Sequence, residues 1–191
     1  MDVEVFSLSA LLQSGFTKSS LRKACTRFSC KRDADISLFL KALSLRNEET
    51  GASRTYLVLS KKSLDEGRLE IVAFLTLALA VADFSQVDDL EKAAVLGKVP
   101  GVATRSAFPG YLIAQLARSD EFSHDDFDAS MLLPFAENQF CECIRRIGGS
   151  IEYVDCREEL LGYYEQQGFS ELYFDEKTQL FKLFKDLREI A

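Results

Sequence analysis

The sequence predicts an α/β fold: a single domain built on a mixed sheet with helices on both faces. Three observations lead there. Residues 69–82 form a run that is apolar on both faces, as in a strand covered by helices on each side. From residue 111 onward strand-like and helix-like patterns alternate twice, which favours a mixed sheet over a helical bundle. No linker, repeat or low-complexity tract divides the 191 residues, and a chain of this length with 47% hydrophobic residues can bury one substantial core.

Taken in order, Ile36, Phe39, Leu40 and Leu43 recur at helical spacing behind the N-cap candidates Asp33 and Asp35. This amphipathic helix ends in the polar stretch 46–51, with Gly51 as a turn. Residues 54–60 (RTYLVLS) read as a strand and pair with 69–82 in a β-hairpin across the charged turn 61–68. Residues 83–110 are less regular, with a short helix at 90–96 and the turn formers Gly97, Pro100, Gly101, Pro109 and Gly110, and are expected to be the most mobile part.

Residues 111–117 (YLIAQLA), bounded by Gly110, predict a buried central strand. Met131, Leu132, Phe135, Ala136, Phe140, Ile144 and Ile147 trace one helical stripe that stops at Gly148 and Gly149. Pro134 fits if that helix begins near Asp128 or Ser130, so that only an early backbone bond is lost. Residues 150–155 predict a strand, 157–167 a helix closed by Gly168, and 169–174 a returning strand. Residues 180–187 match helical spacing better than strict alternation, a pattern that leaves helix and strand both open.

The formal net charge of -7 offers no electrostatic footprint for a phosphate backbone and disfavours a nucleic-acid partner. The basic segment with Lys18, Arg22, Lys23, Arg27, Lys31 and Arg32 reads as a solvated helix face. No stretch approaches the roughly 20 apolar residues of a membrane helix. The acidic start, with Asp2 and Glu4, lacks the positive region of a secretory signal, so a cytoplasmic protein is expected. The five cysteines read as free thiols of a reducing compartment, and Cys141 and Cys143 stand too isolated for a metal site.

The segment Tyr164-Glu-Gln-Gln-Gly168-Phe169 resembles the signature of the GNAT (N-acetyltransferase) superfamily, in which Tyr, Gly and Phe close a helix and start a strand. The stretch YLIAQLAR at 111–118 is similar to that superfamily's fourth strand, and the order of elements between the two segments agrees. Upstream, Phe28-Ser-Cys30, Ile36-Ser-Leu-Phe39-Leu40, SRTYLVLS and IVAFLTLALAVADFS resemble a bacterial and phage-associated branch that includes relatives of acetyltransferase toxins. The likeness covers residues 28–187.

That resemblance implies one acyltransferase domain over residues 1–191, with a twisted sheet splayed between its fourth and fifth strands and acetyl-CoA as co-substrate. Leu116, Ala117 and Arg118 would bond the pantetheine arm through main-chain groups. Tyr164 takes the position of the acid that protonates the expelled thiolate, and a phenol with an unperturbed pKa of about 10 stays protonated at neutral pH. In the loop that would wrap the pyrophosphate, His124, Phe127 and Ala129 fall at the three pattern positions, with Asp128 among them, and only Ala129 matches.

Phe127 stands where a glycine is usual, and Asp120, Glu121, Asp125, Asp126 and Asp128 place carboxylates beside a polyanion. Weakened CoA binding is expected unless those acids face solvent or cap the following helix. His124, the only histidine, reads as a surface residue whose N–H would contact a phosphate if it replaces the usual Arg or Gln. Glu70, Asp83, Glu152 and Asp155 are equivalent candidates for a general base, and a water could serve instead.

The implied activity is acetyl transfer from acetyl-CoA to a primary amine on a small molecule, a protein or an aminoacyl-tRNA. The alternative is a catalytically lapsed protein of the same fold that serves as a protein-binding module. A homodimer or a protein partner is compatible with either.

Overall fold

The computed structural model describes every residue except 86, 88–91, 93–95, 98, 100, 103, 189 and 191. The strands are β1 (Val3–Ser7), β2 (Arg54–Ser60), β3 (Ile71–Asp83), β4 (Ala107–Arg118), β5 (Ile151–Cys156), β6 (Ser170–Asp175) and β7 (Leu180–Asp186). They form one seven-stranded mixed sheet in the order β1-β2-β3-β4-β5-β7-β6, with β4 and β5 parallel and the β1/β2, β2/β3, β5/β7 and β6/β7 pairs antiparallel. The α/β expectation holds. Contacts divide the chain into two compact units, Met1–Ala78 with Ala114–Ala136, and Leu79–Ile113 with Glu137–Ala191. The chain passes from one to the other inside β3, β4 and the long helix Leu132–Ile147, not through a linker.

In the first unit, the N-terminal helices are α1 (Leu8–Gln13) and α2 (Lys18–Arg27), followed by α3 (Ala34–Leu38), which runs through a wide π turn (Phe39–Leu43) into α4 (Ser44–Thr50). Ser7 caps α1, Thr17 caps α2 and Asp33 caps α3, each accepting an N–H that the helix leaves without an internal partner. Gly51 ends α4 at φ 73°, a left-handed turn that favours glycine.

These helices cover one face of β2 and β3, where Leu57, Leu59, Ile71 and Phe74 join Leu8, Leu21 and Phe28 in the core. A shift in register between Val58 and Leu59 lets Ile71 and Phe74, three residues apart, share that face. Tyr56 points the other way and meets Phe135 of α6 (Leu132–Ile147) edge-on at 5.1 Å, so the sheet here carries helices on both faces. The buried Glu48 fastens α4 to β2 through Arg54 Nη1 at 2.7 Å and the Thr55 N–H at 3.0 Å. The hairpin link predicted as a turn contains a short helix, α5 (Lys61–Asp65), capped by Ser60.

In the second unit, Phe84, Phe108, Ile151, Tyr153 and Phe184 pack on one face of the sheet. The Tyr153 hydroxyl donates to the Phe108 carbonyl at 3.1 Å. Gly110 lies inside β4 and not at its boundary, because Tyr153 fills the space a side chain would need. A Cβ on Gly110 would stand 2.4 Å from the Tyr153 ring and 2.6 Å from the Ile151 carbonyl. On the opposite face Tyr111 stacks on Phe140 of α6 at 5.1 Å and donates to the Gly148 carbonyl at 2.5 Å.

The structure corrects several expectations. Residues 180–186, left open between helix and strand, form the strand β7: it lies between β5 and β6 and buries Leu183 and the adjacent Phe184 on opposite faces, which erases the alternation that marks a half-exposed strand. Met131 and Ile147 are exposed, so the buried stripe of α6 is Leu132, Leu133, Ala136, Phe140 and Cys141. The helix expected over 157–167 is a 3-10 turn (Glu158–Leu160) followed by α7 (Leu161–Gln166). The short helix expected at 90–96 falls largely outside the described residues. Asp128 caps a 3-10 turn (Ala129–Met131) that leads into α6, which places Pro134 in the first helical turn, where its missing N–H costs least. Among the described residues no helix is long and apolar enough to cross a membrane.

Candidate functional site

Leu116, Ala117 and Arg118 close β4. Pairing with β5 is confined to Tyr111, Leu112 and Ile113, and residues 114–118 continue past the last pair. Ala117 is buried in the core beneath α2, while the Arg118 guanidinium donates to the Phe127 carbonyl at 2.9 Å and ties the strand end to the loop.

That loop is held by its own polar groups. The Ser119 N–H donates to Val72 O at 2.8 Å and the Asp120 N–H to Ser29 O at 2.9 Å, while the Asp120 carboxylate accepts the Lys31 N–H at 2.8 Å. Asp126 accepts the N–H and the hydroxyl of Ser123, and Asp128 accepts the Ser130 N–H at 2.9 Å. These hydrogen bonds hold the Asp126 and Asp128 carboxyls below the usual carboxylate range. Three of the five loop acids therefore act as staples and caps, although their charges stay. Phe127, which stands where a glycine is usual, is buried. His124 is exposed, with Nε2 3.9 Å from Asp128.

In the second unit, Tyr164 sits in α7, which ends through Gly168 at φ 87° and turns into Phe169 and β6. The Phe169 N–H returns to the Tyr164 carbonyl at 3.1 Å, so the Tyr-x-x-x-Gly-Phe pattern is a helix closure with a left-handed glycine. The Tyr164 ring packs edge-on against Tyr163 at 5.1 Å and Phe169 at 5.5 Å. Burial raises its phenol well above the ordinary value, with smaller contributions from Tyr163, Cys156 and Glu152. Among the described residues its hydroxyl makes no hydrogen bond.

The four carboxylates left equivalent by the sequence now separate. Glu70 accepts from the Ser63 hydroxyl at 2.6 Å, Asp83 from the Ser85 N–H at 2.9 Å, and Asp155 pairs with Lys182 at 2.5 Å. Glu152 alone is fully buried with neither oxygen hydrogen-bonded. Desolvation, then the charge of Glu137, pushes its carboxyl up to about 8 against the opposing pull of Lys185. Lys185, the cross-strand partner of Glu152, is bound instead to Glu137 and to the Gln167 carbonyl at 2.9 Å. The sequence did not disclose Glu137 and Lys185, because the register that aligns Lys185 with Glu152 exists only once residues 180–186 are a strand.

No protein-family model matches the sequence, and no curated protein matches it. Solved structures do. A tyrosine-to-phenylalanine variant of KacT aligns over 100% of this chain and 98% of its own, with a TM-score of 0.74 at 16% identity. AtaT complexed with acetyl-methionyl-tRNAfMet aligns over 99% and 97%, with a TM-score of 0.72 at 18% identity. AtaTR bound with acetyl-CoA aligns over 99% and 96%, with a TM-score of 0.68 at 16% identity. At these identities the similarity speaks for the fold: the chain has the GNAT-type α/β fold that its sequence resembles, and its whole length is similar in structure to AtaT and KacT.

Proposed function

We propose that the protein is an acyl-CoA N-acyltransferase that moves an acetyl group from acetyl-CoA to a primary amine. The observation that carries this reading is Tyr164: a protonated phenol, packed from its sides by Tyr163 and Phe169, whose hydroxyl makes no hydrogen bond among the described residues. Acyl transfer expels a thiolate, and a fixed proton donor at that sulfur lowers the barrier. The similar structure that holds acetyl-CoA supports the same co-substrate here.

In this reading main-chain groups of Leu116, Ala117 and Arg118 hold the pantetheine arm, a role that the end of β4 past Ile113, where pairing with β5 has stopped, leaves open. The loop with His124, Phe127, Asp128 and Ala129 receives the pyrophosphate. The Asp128 charge opposes that role. Attack of the amine nitrogen on the thioester carbon forms the amide bond as the carbon–sulfur bond breaks. Tyr164 gives its proton to sulfur, and the nitrogen's proton leaves to solvent.

Among acceptors, the α-amine of an aminoacyl-tRNA is favoured by the similar structure that contains acetyl-methionyl-tRNAfMet. That finding counts against the inference from net charge, which sums the whole surface. The basic residues Arg22, Lys23 and Arg27 of α2 are exposed together despite it. The second reading, a lapsed enzyme that binds proteins, is favoured by one observation: the Asp128 carboxylate already occupies the Ser130 N–H that a phosphate would otherwise approach. Labelled acetyl-CoA incubated with a pool of charged tRNA, a lysine-rich peptide and simple polyamines tests the proposal. Label transferred to one acceptor supports it, and no transfer to any of them favours the second reading.

A further inference from the structure

The helix that carries Tyr164 has little of its own to hold it in place. α7 is six residues long, well short of the length at which a helix is stable in isolation. Among the described residues no side chain caps its start, and the residue it buries is Tyr164 itself. Its far end meets Lys185. From β7, an inner strand of the sheet, the Lys185 ammonium donates at 2.9 Å to the carbonyl of Gln167, one of the acceptors that a helix end leaves without an internal partner. The same side chain covers the left-handed turn that follows, since a Cβ on Gly168 would stand 3.5 Å from its last methylene carbon. The ammonium lies 5.5 Å from the centre of the Phe169 ring, and that ring packs edge-on against Tyr164 at 5.5 Å. A second bond, to Glu137 of α6, fixes the ammonium from the other side, and both side chains are largely shielded from water. Direct contacts thus run from β7 through Lys185 to the helix end and to the ring against which the phenol rests.

We propose that Lys185 is a positioning residue for Tyr164: by tying the end of α7 to β7 and α6, it fixes the point to which the phenol delivers its proton. This inference rests on the acyltransferase reading. In the step concerned, the amine nitrogen attacks the thioester carbon, the carbon–sulfur bond breaks and its electron pair goes to sulfur. The Tyr164 O–H supplies the proton that makes the thiol. The phenolate regains a proton from solvent, which has taken up the one lost by the nitrogen. Such a transfer works over hydrogen-bond distances, so a donor displaced by about 1 Å costs on the order of 10²-fold in rate. Ring packing on Tyr163 and Phe169 is weakly directional, whereas the bond to the Gln167 carbonyl, three residues on from Tyr164, sets the place of that turn of the helix.

The test is a double-mutant cycle between Lys185→Met and Tyr164→Phe, read as thiol release from acetyl-CoA in the presence of charged tRNA, a lysine-rich peptide and simple polyamines, well below the unfolding midpoint of every variant. Lys185→Met is expected to lower kcat by roughly 10–100-fold, with the KM for acetyl-CoA within about threefold of the wild type. In the Tyr164→Phe background the same change should lower kcat by less than about twofold, because no phenol proton is left to misplace. If Lys185→Met does not fold, Lys185→Met with Glu137→Leu takes its place in the cycle, since the two changes together remove the ion pair without stranding a charge. An unchanged kcat, a loss confined to KM, or the same fold loss with and without the Tyr164 hydroxyl would overturn the proposal and make Lys185 a residue of the fold alone. Each of these results leaves the acyltransferase reading intact. A wild type that releases no thiol with any of these acceptors would overturn both.

Discussion

Lys185 and Glu152 are direct cross-strand partners, yet the lysine ammonium bonds Glu137. This division leaves one carboxylate paired and one without a counter-ion. Both members of the ion pair are largely shielded from water, so removing one strands the other. Lys185→Met is expected to destabilise the protein by about 1–3 kcal/mol. Thermal unfolding at pH 7 checks this, and an unchanged midpoint would show that the pair contributes nothing.

The ionisation of Glu152 gives stability a pH dependence of known sign. Its folded carboxyl is raised to about 8 from an ordinary value near 4.5, so the group binds its proton more tightly in the folded state. Stability is undiminished below the unfolded value and falls as pH rises through the folded one. Glu152→Gln removes that loss. The variant should melt well above the wild type at pH 8, with the gap shrinking towards pH 5, and a gap that does not vary with pH would contradict the assignment.

Tyr164→Phe deletes a hydroxyl that makes no hydrogen bond among the described residues and leaves the ring packing on Tyr163 and Phe169 in place. Turnover of acetyl-CoA should fall by roughly 10²–10⁴-fold, the usual reach of a general acid, with acetyl-CoA affinity nearly unchanged. A parallel loss of affinity would recast the phenol as a binding group.

Asp128→Asn keeps a competent cap for the Ser130 N–H and removes one negative charge from the loop. Acetyl-CoA affinity should rise by roughly three- to tenfold at low salt and by less at high salt. No change at either ionic strength would place the pyrophosphate elsewhere.

The strands β2 to β5 and the closure from Tyr164 to Phe169 were legible in the sequence because their signals are local: apolar runs, turn glycines and caps. Gly110 was legible only as a turn former, since the Tyr153 ring that forbids a Cβ there comes from a strand 41 residues downstream. Gly110→Ala accordingly tests the fold, and a cost of about 1–3 kcal/mol or more is expected. β7 was left open between helix and strand because burial on both faces leaves no period to detect. The strand β1 and the helix α1 went unread, being short, and α2 was legible only as a basic, solvated helix face. In the candidate site, Tyr164, Leu116, Ala117 and Arg118 were found by resemblance, whereas the special standing of Glu152 depends on neighbours from α6, α7 and β7 that only the folded chain assembles.

The central claim is that this fold still takes acetyl-CoA through an acidic, glycine-poor loop. Calorimetric titration of the purified protein with acetyl-CoA at low ionic strength addresses it most directly. The account predicts one saturable site of micromolar or tighter affinity, while the absence of any binding heat at millimolar acetyl-CoA would contradict it and leave a protein-binding module on the same fold.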